Sequence, residues 1–439
     1  MGQPATSTGG ATAEGYLRPQ LLLWADGEEV NPIVVSSLVV EERVDRPSTL
    51  TLTIASAPVS GPDAGDGSAS GGDWDTLLRD DAARALGLPG YRLLSRVTVG
   101  FALTPTAGGP TLSEVVFDGF VTALEHRFAE ARVPDSELVL TGIDASCLLH
   151  VETVTKRWSG LADSEIVEQI YTRYGFDVAV ETTPRRDELV SSLLQRGTDA
   201  EFLRMLARRN GFEVFVTPSG GPVQAGPNPG KGVVGTFRTP AVGGVRLPEA
   251  WLFPHDAPAL VDLVARYDAL QPTGVRSWHV DGRSRTIGHV EVGDPGHPRT
   301  GPRSRDAVVR ERLERILGAG AAPAPVDVRT TDVPIDDTEL ATLARAELRA
   351  VDWFATADGT LNGARYPAVP RAGRTLPVTG AGPVLSGDWY VRGVTHRWGA
   401  HRALPGDPPV AETGAAAETA DFVYETDVAL ARNALGGEP

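Results

Sequence analysis

The sequence predicts an α+β protein that is mostly β, in which two β regions flank a small α/β module. Three observations predict it: apolar residues alternate with threonine at residues 49–54 (TLTLTI), helical spacing takes over near residue 153, and strand-like alternation returns after residue 374. A period of two indicates half-buried strands, whereas spacings of three and four indicate amphipathic helices. A chain of 439 residues is long enough for several domains with their own cores.

Residues 16–150 form the first predicted β domain. Leu21 and Leu23 lie in an alternating segment that ends at Asp26-Gly27, a dipeptide typical of a hairpin turn. Strand patterns return near residue 97 and continue to residue 140, so we predict one antiparallel barrel or sandwich.

Three segments of this region lack strand patterns. Residues 1–15 have neither the basic start nor the apolar core of a secretory signal, and we expect a disordered arm and a cytoplasmic protein. Residues 57–73 are rich in Gly, Ser, Asp and Pro, cannot bury apolar surface, and are predicted to be a mobile insert. A short helix is expected at residues 74–86.

Residues 151–217 form the predicted α/β module. Asp163 is placed to cap a first helix and Gly175 to end it. A second helix begins with the capping box Thr198-x-x-Glu201, ends at an Asn-Gly pair, and leads into a strand.

Residues 218–305 are predicted to hold a loop and connecting strands. The Gly/Pro-rich composition of residues 218–232 indicates a loop, which we extend to residue 247, and the strand patterns fall at residues 260–267 and 275–280.

Residues 306–439 form the second predicted β domain. One helix is expected at residues 306–317, and a second begins with the box Asp336-x-x-Glu339. The segments with strand patterns are residues 374–378, 388–398 and 421–430.

Composition argues against two classes of partner. The net charge is −16, which opposes attraction to nucleic acid or anionic membranes, and no apolar run reaches the ~18 residues of a membrane span. The single cysteine, Cys147, lies in an apolar stretch, which predicts a buried, unreactive thiol and excludes an internal disulfide.

Three motifs with the residue types of a binding site do not have its spacing. Residues 226–232 (GPNPGKG) lack the glycine spacing and the final Ser or Thr of a phosphate-binding loop. His289 and His297, with Glu291 and Asp294 between them, could suggest a metal site, but the Gly/Pro-rich run favours a polar turn.

His396 and His401 flank Trp398 without further ligand-type neighbours at metal spacing. His396 is therefore expected to pack or form a hydrogen bond within a sheet.

Adjacent carboxylates raise the alternative of a glycoside hydrolase, and they are Glu28-Glu29, Glu41-Glu42 and Asp336-Asp337. Adjacent residues on a strand point to opposite faces, so such a pair does not converge on one bond. A soluble hairpin, an exposed strand edge and a helix N-terminus explain the three pairs as well. We predict no catalytic residues, no cofactor-binding residues and no metal ligands, and hence not an enzyme.

Four segments resemble the phage late control protein D family, which includes the hub part of type VI secretion spike proteins and resembles the tail hub of T-even phages. They are residues 156–160 (KRWSG) with the helix at residues 164–174, residues 194–212 (LQRGTDAEFLRMLARRNGF), residues 385–396 (LSGDWYVRGVTH) and residues 424–433 (YETDVALARN). The resemblance covers roughly residues 17 to 433.

The resemblance implies a structural baseplate hub of a phage-tail-like contractile injection system. Each protomer would supply two tube-like antiparallel β-barrel domains, and a homotrimer would form a ring of pseudo-sixfold symmetry. This ring would join a hexameric inner tube to a trimeric spike by symmetry matching. The implied partners are the spike, the inner tube or tube-initiator proteins, other baseplate proteins, and the tape measure or cargo. Assembly would occur in the cytoplasm, and the hub would then become part of an injection particle.

The chain departs from many relatives because it ends six residues after Asn433, where their spike domain follows. A separate spike polypeptide is therefore expected. Two alternatives remain from the sequence: a tail-associated cell-wall hydrolase, and a peptidoglycan-binding module at residues 153–217. We also hypothesise that acidic residues line part of a channel and keep cargo from adhering.

Overall fold

A computed structural model describes the chain at residues 16–30, 32, 35–56, 93–127, 136–185, 192–219, 232–252, 258–268, 271–280, 284–318, 320, 326–330, 337–400 and 422–436. The predicted arm at residues 1–15, the insert at residues 57–73 and the helix at residues 74–86 lie outside the described residues.

The first β region supplies seven strands to one large sheet. They are β1 Leu17–Ala25, β2 Glu28–Glu29, β3 Val35–Arg43, β4 Thr49–Ser56, β5 Arg96–Pro105, β6 Leu112–Arg127 and β7 Ser136–Asp144. Asp26 and Gly27 between β1 and β2 both have positive φ, of 48° and 85°, as the predicted hairpin turn requires. The inward side chains of these strands form one apolar core that includes Leu38, Leu52 and Phe101.

The α/β module follows a 3₁₀ turn at Ala145–His150. Its elements are β8 Thr153–Trp158, α1 Asp163–Arg173, β9 Asp177–Val180, β10 Leu193–Thr198, α2 Asp199–Asn210, β11 Glu213–Pro218 and β12 Val233–Arg238. Strands β8 and β10 form a two-stranded sheet, and β11, β12 and β9 form a three-stranded one. Ile166, Ile170, Leu203 and Leu206 bury the apolar faces of both helices in a second core.

The rest of the chain completes the large sheet and adds a smaller unit. Its elements are β13 Ala250–Trp251, β14 Leu260–Tyr267, β15 Gly274–Val280, β16 Ile287–Val292, β17 Arg303–Ser304, α3 Arg305–Leu317, β18 Val326–Thr330, α4 Asp337–Asp352, β19 Ala355–Asn362, β20 Thr375–Thr379, α5 Gly382–Leu385, β21 Gly387–Ala400, β22 Phe422–Arg432 and β23 Ala434–Leu435. Strands β16, β15 and β18 form a small sheet against which α4 buries Ala344 and Leu348.

Strands from both ends of the chain form one 13-stranded sheet, which is curled into a half-barrel. The main strand order is β14-β19-β22-β21-β3-β4-β7-β6-β5-β1-β2. Strand β20 lies off this path and pairs with β21 and with β13. The predicted mostly-β class is therefore confirmed.

Three local predictions are wrong. Ala162, not Asp163, is the N-cap of α1, and Asp163 instead accepts a hydrogen bond from Asn210 Nδ2 at 2.6 Å. Strand β12 lies within the stretch that we assigned to a loop as far as residue 247. Strand β16 includes His289, which we placed in a polar turn.

The second capping box is confirmed and gives a testable stability effect. Glu201 N donates to Thr198 Oγ1 at 3.3 Å, and Thr198 N donates to Glu201 Oε2 at 2.9 Å. We expect Thr198→Ala to lower the free energy of unfolding by ~1 kcal/mol, because the Glu201 N–H in the first turn loses its side-chain partner. Thr172→Ala, at an exposed site inside α1, is the matched control and should not destabilise, since alanine has the higher helix propensity. Urea unfolding followed by circular dichroism measures both, and equal losses would contradict the prediction.

Candidate assembly interface

The two β regions join at one seam, where β3 pairs with β21. The pairing is antiparallel and runs from Ser37 opposite Gly399 to Arg43 opposite Gly393. Backbone hydrogen bonds thus connect strands that lie more than 300 residues apart in the chain. The seam makes the two β regions one continuous surface.

A buried ionic network holds this seam together. Arg371, in the segment between β19 and β20, donates from Nε to both oxygens of Glu42 at 3.0 and 2.9 Å. Its Nη1 atom donates to the carbonyl of Val115 at 2.6 Å and to Glu114 Oε1 at 3.3 Å. Arg374 donates to the same oxygen at 2.5 Å. Since Glu42 lies on β3 and Glu114 on β6, both arginines tie the second β region to the first.

The predicted exposed strand edge at Glu41-Glu42 is wrong, because β3 lies in the middle of the large sheet. Glu41 points to the exposed face, whereas Glu42 is 2% exposed and belongs to the ionic network. The period of two did predict that the two carboxylates diverge. Nothing in the local sequence identifies Arg371 as the partner of Glu42.

His396 lies buried beside the seam and stays neutral. Its Nδ1 atom is 2.8 Å from the hydroxyl of Tyr424, and Phe101 stacks on Tyr424 with ring centroids 4.2 Å apart. Burial, together with the nearby charge of Arg371, lowers the pKa of His396 to about 3. The prediction that His396 packs and forms a hydrogen bond in the sheet is confirmed, while His401 lies outside the described residues.

The face of the sheet opposite the cores carries a row of acidic residues and threonines. One residue from each of six neighbouring strands forms it, in the order Asp262, Thr360, Asp427, Thr395, Glu41 and Thr49. Thr360 links the row by donating its backbone N–H to Asp262 at 2.7 Å and its hydroxyl to Asp427 at 3.1 Å. The row crosses the seam without interruption, so this face is continuous between the two β regions.

The exposed face is locally acidic on the five strands from β14 to β3. Its charged side chains in the described register are Asp262, Asp358, Glu425, Asp427 and Glu41, against Arg266, Arg397 and Arg43. Arg397 pairs with Asp427 at 2.8 Å and Arg266 with Asp358 at 2.7 Å, and Arg43 lies 3.6 Å from Asp45. The face therefore carries more carboxylate than guanidinium charge.

One end of the sheet combines an edge strand with exposed apolar side chains. Among the described residues, β14 pairs only with β19. Val261, Val264 and Tyr267 on β14 are 57%, 50% and 49% exposed. An edge strand with unpaired backbone groups and apolar side chains is a template for pairing with another chain. At the other end of the sheet, β1 pairs with β5 and, over two residues, with β2.

The α/β module contacts the second β region through a buried carboxyl. Tyr390 on β21 donates its hydroxyl to Glu213 Oε2 on β11 at 2.5 Å. Burial raises the pKa of Glu213 to about 7, partly offset by Tyr390, Arg238 and Arg392. A carboxyl that titrates near neutral pH therefore lies where the module meets the sheet.

Two solved structures share this architecture along almost the whole chain. The tail protein from Neisseria meningitidis MC58 aligns with a TM-score of 0.52 and 10% identity, over 94% of this chain and 96% of that one. The 43 kDa tail protein of prophage MuSo2 from Shewanella oneidensis aligns with a TM-score of 0.56 and 11% identity, over 95% and 100%. The chain has a phage tail protein fold. No protein-family model and no curated protein matches the sequence.

Within this tail-protein fold, the residues that the sequence analysis considered for catalysis or ligand binding lie in separate places. The pair Glu28-Glu29 lies exposed on β2, as a soluble hairpin requires. Asp337 begins α4, whereas Asp336 lies outside the described residues, as do most of residues 226–232. Cys147 is half-buried rather than fully buried as predicted, and desolvation raises its pKa to about 12, which agrees with an unreactive thiol.

The two histidines of the suspected metal site occupy different environments. His289 stacks on Trp278, whereas buried His297 contacts Asp352, with Nε2 3.0 Å from Oδ2. The carboxylate of Asp352 also accepts from Arg299 at 2.8 Å. No group of three metal-ligand side chains occurs within the described ranges, and no helix there is long and apolar enough to span a membrane.

Proposed function

We propose that this chain is a non-enzymatic structural hub of the baseplate in a phage-tail-like contractile injection system. The observation that carries the proposal is the seam, through which two β regions of one chain form a single curled sheet. Two β units per chain let three copies present six units, which a ring needs to match a hexameric tube on one side and a trimeric spike on the other. The shared fold with two tail proteins supports this role.

The edges of the sheet support head-to-tail association of the copies. Strand β14 would dock on the β1 end of the next copy, and three copies related by a threefold rotation would close into a ring. The acid and threonine row would then repeat around the inner wall of the ring. Carboxylates on this wall would repel acidic cargo, whereas threonines would provide short polar contacts.

Assembly itself tests the proposal. The chain is co-expressed with its neighbouring spike and tube genes and imaged by electron cryo-microscopy. We expect a threefold ring between spike and tube, with the acid and threonine row facing the axis. A monomer in which the exposed face closes around a ligand would overturn the hub function.

The edge strand makes a specific prediction. We expect Val264→Glu to shift the protein from trimer to monomer at micromolar concentration, because each of the three ring contacts would then carry a charge on its edge strand, which opposes strand pairing. Ile287→Glu, which places the same change on β16 at a position that is 78% exposed, is the matched control and should leave the trimer intact. Sedimentation velocity measures both. A wild-type protein that sediments only as a monomer, alone and with its spike, would contradict the association model.

A further inference from the structure

A cleft of about 460 Å³ lies where the α/β module meets the second β region. Its walls come from α2, α4, the start of β11 and the middle of β21. The volume falls within the ~300–1,000 Å³ of small-ligand pockets. The cleft is separate from the exposed sheet face and from the β14 edge, so the proposed assembly does not use it.

Arginines dominate the charge of this cleft, and they are Arg204, Arg208, Arg349 and Arg392. Two of them are held by the fold. Arg349 donates to the carbonyls of Pro295 and Asn210 at 2.6 and 3.0 Å, and Arg204 lies 3.2 Å from His150 Nε2.

The other two guanidinium groups are available to a ligand. In the part of the chain that the structure describes, the side chains of Arg208 and Arg392 form no hydrogen bond and no ion pair. Arg208 is exposed on α2 and Arg392 is half-buried on β21. The whole chain has a net charge of −16, so two guanidinium groups without an ion-pair partner among the described residues in one cleft form a local positive site on a negatively charged protein.

The cleft also contains three carboxyl groups, which are fewer than its four arginines. The carboxyl groups belong to Asp45, Glu213 and Glu347. Asp45 lies 3.6 Å from Arg43, outside the cleft. Glu213 receives the hydroxyl of Tyr390, and burial brings its pKa to about 7, so that it is partly protonated at neutral pH.

Aromatic rings form the apolar wall. Phe212 and Trp353 both line the cleft. The Arg349 guanidinium lies 5.6 Å from the ring centroid of Phe212, and Trp353 stacks on Tyr390 with centroids 5.3 Å apart. The rings are therefore fixed in position before any ligand arrives, which lowers the cost of ordering on binding.

We propose that this cleft binds a carboxylate that is carried on an apolar group. Arg208 and Arg392 supply charge-assisted donors for the carboxylate, and Phe212 and Trp353 supply the surface for the apolar part. This chemistry occurs in an acidic peptide segment and in a free aromatic acid. The proposal does not depend on the hub function.

Isothermal titration calorimetry of the full chain tests the proposal with two acids and their neutral counterparts. The acids are phenylacetate and N-acetyl-Leu-Asp-Leu amide, and the counterparts are phenylacetamide and N-acetyl-Leu-Asn-Leu amide. We expect saturable binding of at least one acid and no binding of its counterpart. Binding of the peptide alone identifies a polypeptide source, and equal binding of phenylacetate identifies a free acid. If neither acid saturates the protein at about 10 mM, the Kd is too high for a specific site, and the proposal is overturned.

Charge-neutral variants locate the site. Arg208→Gln and Arg392→Gln should each raise the Kd at least tenfold, whereas Arg196→Gln, an exposed arginine on β10, should leave it unchanged. Thermal unfolding checks that each variant is folded. An equal loss in all three variants would show nonspecific attraction and overturn the proposal.

The affinity should also depend on pH. The charged and titratable groups around Glu213 are Tyr390, Arg238, Arg392 and Asp45. Protonation of Glu213 between pH 8 and pH 6 removes a negative charge from the cleft, so the affinity for the acid should rise severalfold. Glu213→Gln should remove this dependence and bind at pH 8 as wild type binds at pH 6. An unchanged pH dependence in Glu213→Gln would show that Glu213 does not face the ligand.

Discussion

Replacing Arg371 with methionine is expected to lower the free energy of unfolding by about 3–5 kcal/mol. The substitution removes every side-chain partner of Glu42 within the seam network, and Glu42 is only 2% exposed. An unpaired buried carboxylate retains its desolvation cost without the attraction that offset it. Urea unfolding at pH 7 and fixed protein concentration measures the loss, because association would otherwise contribute.

Two further variants distinguish the cost of an unpaired buried carboxylate from the simple loss of one ion pair. Arg397→Met removes the ion pair with Asp427 on the exposed face, where Arg397 is 54% exposed, and should cost less than ~1 kcal/mol. Arg371→Met combined with Glu42→Leu removes both buried charges and should recover most of the stability. If Arg371→Met destabilised the protein no more than Arg397→Met, the seam would not depend on its ionic network.

The second large effect concerns Glu213 and depends on pH. Burial raises the pKa of this carboxyl from 4.5 to about 7, so the folded state binds its proton more tightly than the unfolded chain does. The stability from this group is fully present below pH 4.5 and is lost as the pH rises through 7. We expect a loss of about 3 kcal/mol across this window. Glu213→Gln cannot ionise and retains an oxygen for Tyr390, so it should avoid the loss.

Urea unfolding at pH 5 and pH 8 measures this effect as a difference between two proteins. The stability of Glu213→Gln relative to wild type should rise by about 2–3 kcal/mol from pH 5 to pH 8. Asp144, whose pKa burial raises to about 6, changes both proteins alike and cancels. Glu125→Gln on the exposed part of β6 is the matched control and should show no such rise. Equal relative stability of Glu213→Gln at both pH values would contradict burial of an ionisable carboxyl at this joint.

Local signals predicted the helices of the module well. The capping box at Thr198 and Glu201 and the glycine at residue 211, with φ of 63°, set both ends of α2. These signals act within a few residues, so a sequence displays them directly. The N-cap of α1 was misplaced because Asp163 has the right side chain but is bound by Asn210, 47 residues away.

Polar composition led to a wrong prediction of a turn in a segment that tertiary packing stabilises as a strand. His289 and its neighbours read as a turn, yet β16 forms because it pairs with β15 and packs under α4. Strand β12 was missed for a different reason: its segment VVGTFR has strand-forming residues, but we extended the loop past the Gly/Pro-rich stretch, and β12 pairs with β9 and β11. Strand propensity depends on such neighbours more than on the residues themselves.

The sequence by itself determined the order of β, α/β and β regions, both ends of α2, and the divergence of Glu41 and Glu42. Only the tertiary structure decided that β3 pairs with β21, that Arg371 meets Glu42 across 329 residues, and that acids and threonines form one row over the seam. Helix caps and hydrophobic periodicities depend only on residues that are close together in the sequence. Pairing between distant strands depends on which edges the whole fold leaves open, and no single segment contains that information.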